Sequence, residues 1–265
     1  MAENPTHNEP PLVPSCEQPA TMAELNTAGE QSLAEIGARI GVDKITYHHY
    51  HHYYAGFLDG LRHREGGLLE IGIDQGLSLQ MWLAYFSRAF VYGIDINISA
   101  EGERHRIFKA DQNDIPKIRQ ILQQDIHHPV FLVVDDGSHM PEHQARTFDL
   151  LFRELLLPGG VYVIEDVEVS YWSRGELYGY RTRYGYRHPA SIIEVFKTIA
   201  DDLNNEYLTD ASRYAQAIHL KGVVSGEARE MVSSVCFGKN CIIITKKSQE
   251  ESKIGRQSYF YAQYL

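Results

Sequence analysis

The chain has 265 residues, which is enough for one sizeable α/β domain with a buried core. Its formal net charge of -10 argues against nucleic acid as the main partner, because phosphate binding requires a positive surface. No apolar run approaches the roughly 20 residues that a membrane span requires, so we expect no membrane partner and a cytoplasmic location.

The N-terminal part of the chain is predicted to contain a tail followed by helices. Residues 1–22 carry five of the ten prolines among polar residues, and we expect them to form a flexible tail. Residues 23–62 are expected to form helices that cover the pocket of the following domain. Apolar side chains recur there at helical spacing, first as far as Ile40 and then along the next segment.

That next segment, ITYHHYHHYYAGFLDGLR, is predicted to continue the helical region, with Tyr47, Tyr50 and Tyr54 along one face. His48 and His52 have the i, i+4 spacing of metal ligands, but no nearby carboxylate or cysteine completes a site. We therefore interpret the segment as a helix that crosses the mouth of a pocket.

Residues 63–265 are predicted to form one domain, in which short apolar strands alternate with helices of about 10 to 15 residues. The predicted strands are GLLEIGI, FVYGIDI, RIFKA, PVFLVVDD and VYVIED, and a C-terminal hairpin turns at 238–240. This pattern is typical of a Rossmann-like α/β fold. We expect a mostly parallel seven-stranded sheet with an antiparallel C-terminal hairpin.

Ligands of such folds bind beyond the carboxyl ends of the strands, so the residues at these ends are the candidate cofactor contacts. They are Glu70, Gly72, Asp95, Asp111 and Gln112. Asp95 follows Gly72 by about 20 residues, where an acid often binds a ribose diol; its alternative role is a strand-end cap. The loop GIDQGLS lacks the third glycine of a dinucleotide fingerprint, which favours a nucleoside without a pyrophosphate, such as S-adenosylmethionine. Asp111 and Gln112 would then face the adenine edge.

A second group of polar residues follows the next two strands, in DDGSH and IED. Asp135, Asp136, Glu165 and Asp166 would repel one another unless a cation intervened, and Mg²⁺ suits oxygen ligands. We assign Asp136, Glu165 and Asp166 as its ligands, which requires a backbone bend between the last two. His139 fits a base that accepts a proton from a hydroxyl; its alternative is a cap or core histidine, and DDGSH is alternatively a bare turn.

At these residues the sequence resembles the metal-dependent sugar O-methyltransferases of macrolide biosynthesis, which are grouped with cephalosporin hydroxylase-like proteins. The motifs that match are DKITYHHYHHYYAGF, LLEIGI, GLSLQMWLAYFSRAFVYGIDI, ADQND, VVDDGSHMPEHQARTFDLLF and LPGGVYVIEDVEVSYW. They span about half of the chain, and together they are far more specific than a glycine loop.

The resemblance implies a class I methyltransferase fold for residues 63–265, with S-adenosylmethionine and Mg²⁺ as cofactors. It implies that Asp136, Glu165 and Asp166 hold the metal, that Asp136 also borders the cofactor and that His139 is the base. Ser78 joins Asp95, Asp111 and Gln112 as an implied cofactor contact. Relatives are often oligomeric, so kinship also implies a homodimer or homotetramer.

We therefore expect an O-methyltransferase whose acceptor is a glycoside or polyketide hydroxyl of a small-molecule natural product. A phenol of the catechol type stays open as acceptor, because the aromatic segment 171–186 suits either a sugar face or an aromatic ring. One rival is a non-haem iron oxygenase in which His143 joins His139 as a second histidine ligand. Another is a catalytically silent nucleoside-binding protein.

Overall fold

The structure is a computed structural model that describes residues 31–172, 176–177, 180–181 and 183–253. The predicted flexible tail, residues 1–22, and the start of the first predicted helix lie outside the described residues. No helix in these ranges is long and apolar enough to cross a membrane.

Ten strands occur in the described part of the chain. They are β1 (Gly66–Ile71), β2 (Ala89–Asp95), β3 (Ala100–Gly102), β4 (His105–Lys109), β5 (Val130–Asp135), β6 (Leu156–Glu165), β7 (Glu176–Leu177), β8 (Tyr180–Arg181), β9 (Val232–Gly238) and β10 (Cys241–Lys246). Eight of them form one sheet in the order β3-β4-β2-β1-β5-β6-β10-β9, and β7 pairs with β8 separately.

The central strands of the sheet, β4, β2, β1, β5 and β6, are parallel, whereas β10 and β9 are antiparallel additions after β6. The prediction of a mostly parallel Rossmann-like sheet with an antiparallel C-terminal hairpin is therefore confirmed. The eighth strand is β3, a three-residue edge strand that pairs antiparallel with β4.

Nine α-helices flank the sheet within the described ranges. They are α1 (Leu33–Ile40), α2 (Asp43–Thr46), α3 (His51–Leu58), α4 (Leu77–Tyr85), α5 (Ile115–Gln124), α6 (Pro141–Glu154), α7 (Ile192–Asp202), α8 (Asp210–His219) and α9 (Gly226–Glu230). Short 3-10 helices occupy Asp59–Leu61, Val167–Tyr171, Asn205–Tyr207 and Glu251–Lys253.

Two apolar cores, one on each face of the sheet, position these helices. Successive side chains of a strand point to opposite faces, so Leu69 packs with α5, α6 and α7 while Leu68 packs with α1, α3 and α4. Every residue of β5 is buried, as expected of a parallel strand covered on both faces. The N-terminal helices are thus an integral layer of the domain.

The N-terminal helical region is broken where the sequence predicts that it continues. Helix α2 ends at Thr46 and α3 begins at His51, because His49 has a left-handed backbone conformation with φ 59°. The Tyr50 N–H donates to the Lys44 carbonyl at 2.8 Å across this turn. The break allows both Lys44 and Tyr50 to point inward, where both are buried.

Candidate active site

A cavity of about 740 Å³ lies beyond the carboxyl ends of β1, β2, β4 and β5. Its volume is in the range of small-molecule binding pockets, which is about 300 to 1,000 Å³. Eight of the ten predicted site residues line it, and the other two, Glu70 and Glu165, lie behind the wall. The eight are Gly72, Ser78, Asp95, Asp111, Gln112, Asp136, His139 and Asp166.

The loops after β1 and β5 meet at Gly72 and Asp136. Gly72 has φ 83°, and a Cβ atom there would overlap the Asp136 carbonyl oxygen. The Asp136 N–H donates to the Ile71 carbonyl at 2.9 Å, which holds the two strand ends together. Only glycine meets both requirements at this position, since it tolerates a positive φ and has no side chain.

The Asp95 carboxylate accepts four backbone N–H groups at the end of β2. Its Oδ2 accepts from Ile73 at 3.0 Å and Asp74 at 3.2 Å, and its Oδ1 accepts from Asn97 at 2.7 Å and Ile98 at 3.2 Å. Burial opposes ionisation of Asp95, but these hydrogen bonds lower its pKa overall. The carboxylate therefore shapes the cavity rim, as a strand-end cap does.

Gln112 and Asp135 form a buried polar pair, of which Gln112 lines the cavity. Gln112 donates through Nε2 to Asp135 Oδ1 at 2.7 Å and accepts the Ser138 N–H at 2.8 Å. Burial raises the pKa of Asp135 to about 6, although hydrogen bonds from Thr147 and Gln112 oppose this shift. The pair fixes the loop that carries His139, while Asp111 is exposed at the rim.

Glu70 joins the end of β1 to helix α4. Its Oε2 accepts from the Ser78 hydroxyl at 2.7 Å and its Oε1 accepts from Trp82 Nε1 at 3.0 Å. Glu70 is fully buried, so Ser78 reaches the cavity wall with its hydroxyl already bound to this carboxylate.

Asp136, His139 and Asp166 come together at one end of the cavity. One ligand atom from each lies within 4.8 Å of the others, which makes this group a candidate metal centre. His139 and Asp166 both have left-handed backbones, with φ 56° and 51°. Such conformations are uncommon for residues other than glycine and cost roughly 1–3 kcal/mol each, and they often occur at functional sites. At Asp166 the left-handed turn supplies the bend required after β6.

The Glu165 side chain points away from this group into the protein. It is 1% exposed, and its Oε2 accepts from Lys44 Nζ at 2.7 Å while its Oε1 accepts from the Tyr54 hydroxyl. The three metal ligands predicted from the sequence therefore do not all lie together. Asp136 and Asp166 share the group with His139, and Glu165 lies behind it.

Lys44 is the centre of this buried region, and sequence reasoning misses it. Its Nζ lies 2.7 Å from Glu165 and 3.4 Å from Glu70, and it also contacts Asp136 Oδ2. Burial by itself would lower the pKa of Lys44, but the three carboxylates raise it well above its ordinary value. The side chain is therefore a buried ammonium.

The Asp166 carboxylate contacts the turn before helix α3 and the hairpin turn between β9 and β10. The Tyr50 hydroxyl donates to Asp166 Oδ1 at 2.5 Å, and Asn240 Nδ2 donates to the same oxygen at 2.8 Å. His48 Nδ1 lies 3.5 Å from it. Within the histidine-rich segment, His48 lines the cavity, whereas Tyr50 is fully buried and contacts Asp166.

His143 does not join the group of Asp136, His139 and Asp166. Its Nδ1 lies 2.8 Å from the Ser138 hydroxyl, and burial lowers its pKa. The arrangement therefore gives no support to the oxygenase alternative with His139 and His143 as its two histidine ligands.

The chain has curated relatives, although no protein-family model matches it. It is 34% identical over 221 residues to 8-demethyl-8-alpha-L-rhamnosyl tetracenomycin-C 2'-O-methyltransferase of Streptomyces olivaceus, covering 78% of this chain and 54% of the relative. It is 33% identical over 198 residues to L-olivosyl-oleandolide 3-O-methyltransferase of Streptomyces antibioticus, covering 69% and 49%. The chain thus spans about half the length of the curated relatives it matches.

A solved structure shares the fold. It is the MycE methyltransferase of the mycinamycin biosynthetic pathway in complex with Mg, SAH and mycinamycin VI. The TM-score is 0.71 at 24% identity, covering 88% of this chain and 57% of that one. The predicted class I methyltransferase fold is confirmed.

Proposed function

The chain is related to the sugar O-methyltransferases of macrolide biosynthesis, and we propose that it is an S-adenosylmethionine- and Mg²⁺-dependent O-methyltransferase. Its acceptor would be a hydroxyl of a small-molecule natural product. The observation that carries the proposal is the grouping of Asp136, His139 and Asp166 at one end of a cavity of about 740 Å³.

The donor set of the group fits a divalent cation. Asp136 and Asp166 supply carboxylate oxygens of the kind Mg²⁺ prefers, and Asp136 is partly exposed to the cavity. Asp136 and Asp166 would hold the ion. The third ligand predicted from the sequence, Glu165, would have to turn away from Lys44 and Tyr54 to join them. When bound, Mg²⁺ would favour the deprotonated form of an acceptor hydroxyl.

The loop of Gly72 and the lining residues Ser78, Asp95, Asp111 and Gln112 would bind the methyl donor. The pocket they border has the position at which Rossmann-like folds bind nucleosides, beyond the carboxyl ends of the central strands. S-adenosylmethionine would supply the methyl group. The Asp95 hydrogen bonds would keep the rim in shape before the donor enters.

His139 would accept the proton of the acceptor hydroxyl. It lies on the loop after β5, which the Gln112 side chain holds through the Ser138 N–H at 2.8 Å. Asp136 and Asp166, which would hold the ion, are both near its ring, so His139 would lie beside a hydroxyl bound at the ion.

A sugar hydroxyl is the acceptor that the relatives favour, because their names specify rhamnosyl and olivosyl groups. The stretch after Asp166 also carries exposed rings. Tyr171 stacks against Tyr186 with ring centroids 6.3 Å apart, and Arg187 lies over Tyr186. Aromatic faces of this kind suit the apolar face of a sugar.

We further propose that the protein is a homodimer or homotetramer.

The test begins with calorimetric titration of S-adenosylmethionine with and without Mg²⁺. Purified protein is then incubated with a panel of rhamnosylated and olivosylated glycosides, their aglycones and catechols, and products are read by mass spectrometry. We expect addition of one methyl group to a glycoside, dependent on Mg²⁺. Tightly bound iron and oxygen consumption, with no affinity for S-adenosylmethionine, would contradict the proposal and favour the oxygenase. Donor binding without product from any acceptor class would favour a silent binding protein.

A further inference from the structure

Lys44 lines the cavity beside the candidate metal centre and contacts one of its members, Asp136. Its side chain is 2% exposed and extends from α2 toward the ends of β1, β5 and β6. It contacts one carboxylate at each of these three strand ends, namely Glu70, Asp136 and Glu165. Among the described lysines, Lys44 is the one whose ammonium contacts these three acids.

The formal charges of this cluster do not balance. Three carboxylates surround one ammonium, and Asp166 adds a fourth negative charge beside Asp136. Hydrogen bonds from Ser78, Trp82 and the Tyr54 hydroxyl stabilise the ionised acids but carry no net charge. Burial raises the pKa of Glu70, Asp136 and Glu165 even though Lys44 opposes this shift. One ammonium therefore offsets only part of the cost of ionising these acids, and a divalent cation would offset more of it.

Asp136 belongs to both groups. Its Oδ2 contacts Lys44, and the same carboxylate is grouped with His139 and Asp166. An ammonium and a metal ion that share one carboxylate repel each other at short range, and a low-dielectric surrounding makes this repulsion strong. The affinity of the site for a cation therefore depends on the charge at Lys44.

Resting on the metal site of the proposed function, we propose that Lys44 is the internal counter-ion of these acids and sets the affinity for the divalent cation. It is a positioning residue that acts through Asp136. Loss of its charge destabilises the metal-free protein more than the metal-bound protein, because the metal replaces part of the missing charge. Metal binding and stability are thermodynamically linked. Loss of the Lys44 charge should therefore lower the Kd for the metal and also increase the free energy of unfolding that the metal adds.

The experiment compares Lys44→Met, Glu70→Gln and the double variant by calorimetric titration with Mg²⁺ at pH 8, without methyl donor. Lys44→Met removes one positive charge, and we expect its Kd to fall by at least about tenfold. Glu70→Gln removes one negative charge outside the metal group, and we expect its Kd to rise. The double variant restores the original net charge, and we expect a Kd close to that of the unchanged protein.

Two further measurements make the outcome independent of activity. The rise in Tm on addition of Mg²⁺ should be larger for Lys44→Met than for the unchanged protein, and Lys44→Arg, which keeps the charge, should behave as the unchanged protein does. If Lys44→Met does not fold, the rise in Kd of Glu70→Gln and its reversal in the double variant decide the proposal.

Equal or weaker Mg²⁺ binding by folded Lys44→Met overturns the inference, and so does a Glu70→Gln variant with an unchanged Kd. Both results leave the proposed function standing. Absence of Mg²⁺ binding by the unchanged protein and all variants overturns the metal-dependent function together with the inference. Binding by Lys44→Met alone supports the inference and contradicts Mg²⁺ dependence of the natural chain.

Discussion

The Tyr50 hydroxyl donates to the Asp166 carboxylate at 2.5 Å, and it also lies 3.1 Å from the Asn240 carbonyl oxygen. One phenol thus connects helix α3, the end of β6 and the hairpin turn between β9 and β10. Asp166 is held in its left-handed conformation by contacts from two directions, one N-terminal and one C-terminal in sequence.

We expect Tyr50→Phe to lower the free energy of unfolding by about 1.5–3 kcal/mol, because it removes a hydrogen bond to a charged acceptor. Urea unfolding followed by circular dichroism measures this change. Tyr214→Phe is the matched control, since Tyr214 is 71% exposed, and it should leave the midpoint unchanged. Equal midpoints for both variants would show that the Tyr50 hydroxyl contributes nothing.

We expect His139→Gln to lower kcat for methyl transfer by about 10²- to 10⁴-fold, the usual contribution of a general base. The Kd for S-adenosylmethionine should change little, since the proposed role of His139 is in proton removal. His219→Gln, at an exposed position on α8, serves as control. A variant with unchanged kcat on its true acceptor would exclude His139 as the base.

We expect Asp166→Asn to weaken Mg²⁺ binding strongly, because an amide replaces a charged oxygen ligand. Titration of Mn²⁺, followed by its free-ion paramagnetic resonance signal, measures the loss. Asp201→Asn changes an exposed aspartate by the same chemistry and should bind as the unchanged protein does. Chelation of the unchanged protein should likewise abolish methyl transfer, and added Mg²⁺ should restore it. Retention of full Mn²⁺ affinity by Asp166→Asn would remove Asp166 from the ligand set.

Cys241 is expected to resist alkylation in the folded protein. Burial, supported by the nearby Glu165 carboxylate, raises its pKa to about 12, so little thiolate is present near neutral pH. Iodoacetamide at pH 8 should label the half-buried Cys236 before Cys241, as measured by peptide mass spectrometry. Equal labelling of Cys236 and Cys241 in folded protein would contradict the burial of Cys241.

The same thiol has a consequence for stability at high pH. The unfolded thiol ionises near pH 8.5 whereas the folded thiol keeps its proton to about pH 12. The unfolded state therefore binds fewer protons in this window, and stability falls as pH rises through it. Urea midpoints of the unchanged protein should decrease from pH 8 to pH 10 more steeply than those of Cys241→Ala.

The sequence predicts the central strands and their ends well, because the strands are buried on both faces and appear as apolar runs. Val130–Asp135 is an example, and the hairpin turn beside Gly238 has the expected place. The strand ends then indicate which polar residues line the cavity, since parallel strands end at one edge of a sheet.

Other features depend on contacts between distant parts of the chain and leave no local pattern. Lys44 meets acids that lie 92 and 121 residues away, and a lysine next to Asp43 resembles an exposed helical residue. The excess of acids at strand ends predicts that a positive charge lies among them. It does not predict that the Lys44 ammonium supplies part of that charge. The left-handed His49 breaks a helix that the aromatic spacing favours.

The hydrogen bonds of Asn240 have a consequence for biosynthesis. Its carbonyl is near a phenol 190 residues earlier in the chain, and β10 inserts beside β6 rather than at the sheet edge. While the ribosome is still translating the codons before the hairpin, β6 has an unpaired edge and Asp166 lacks one of its donors. Nascent chains that stall in this interval would expose the unpaired backbone N–H and C=O groups of β6, which can pair with other chains. Binding of chaperones to the nascent chain should therefore be greatest just before the hairpin emerges from the ribosome.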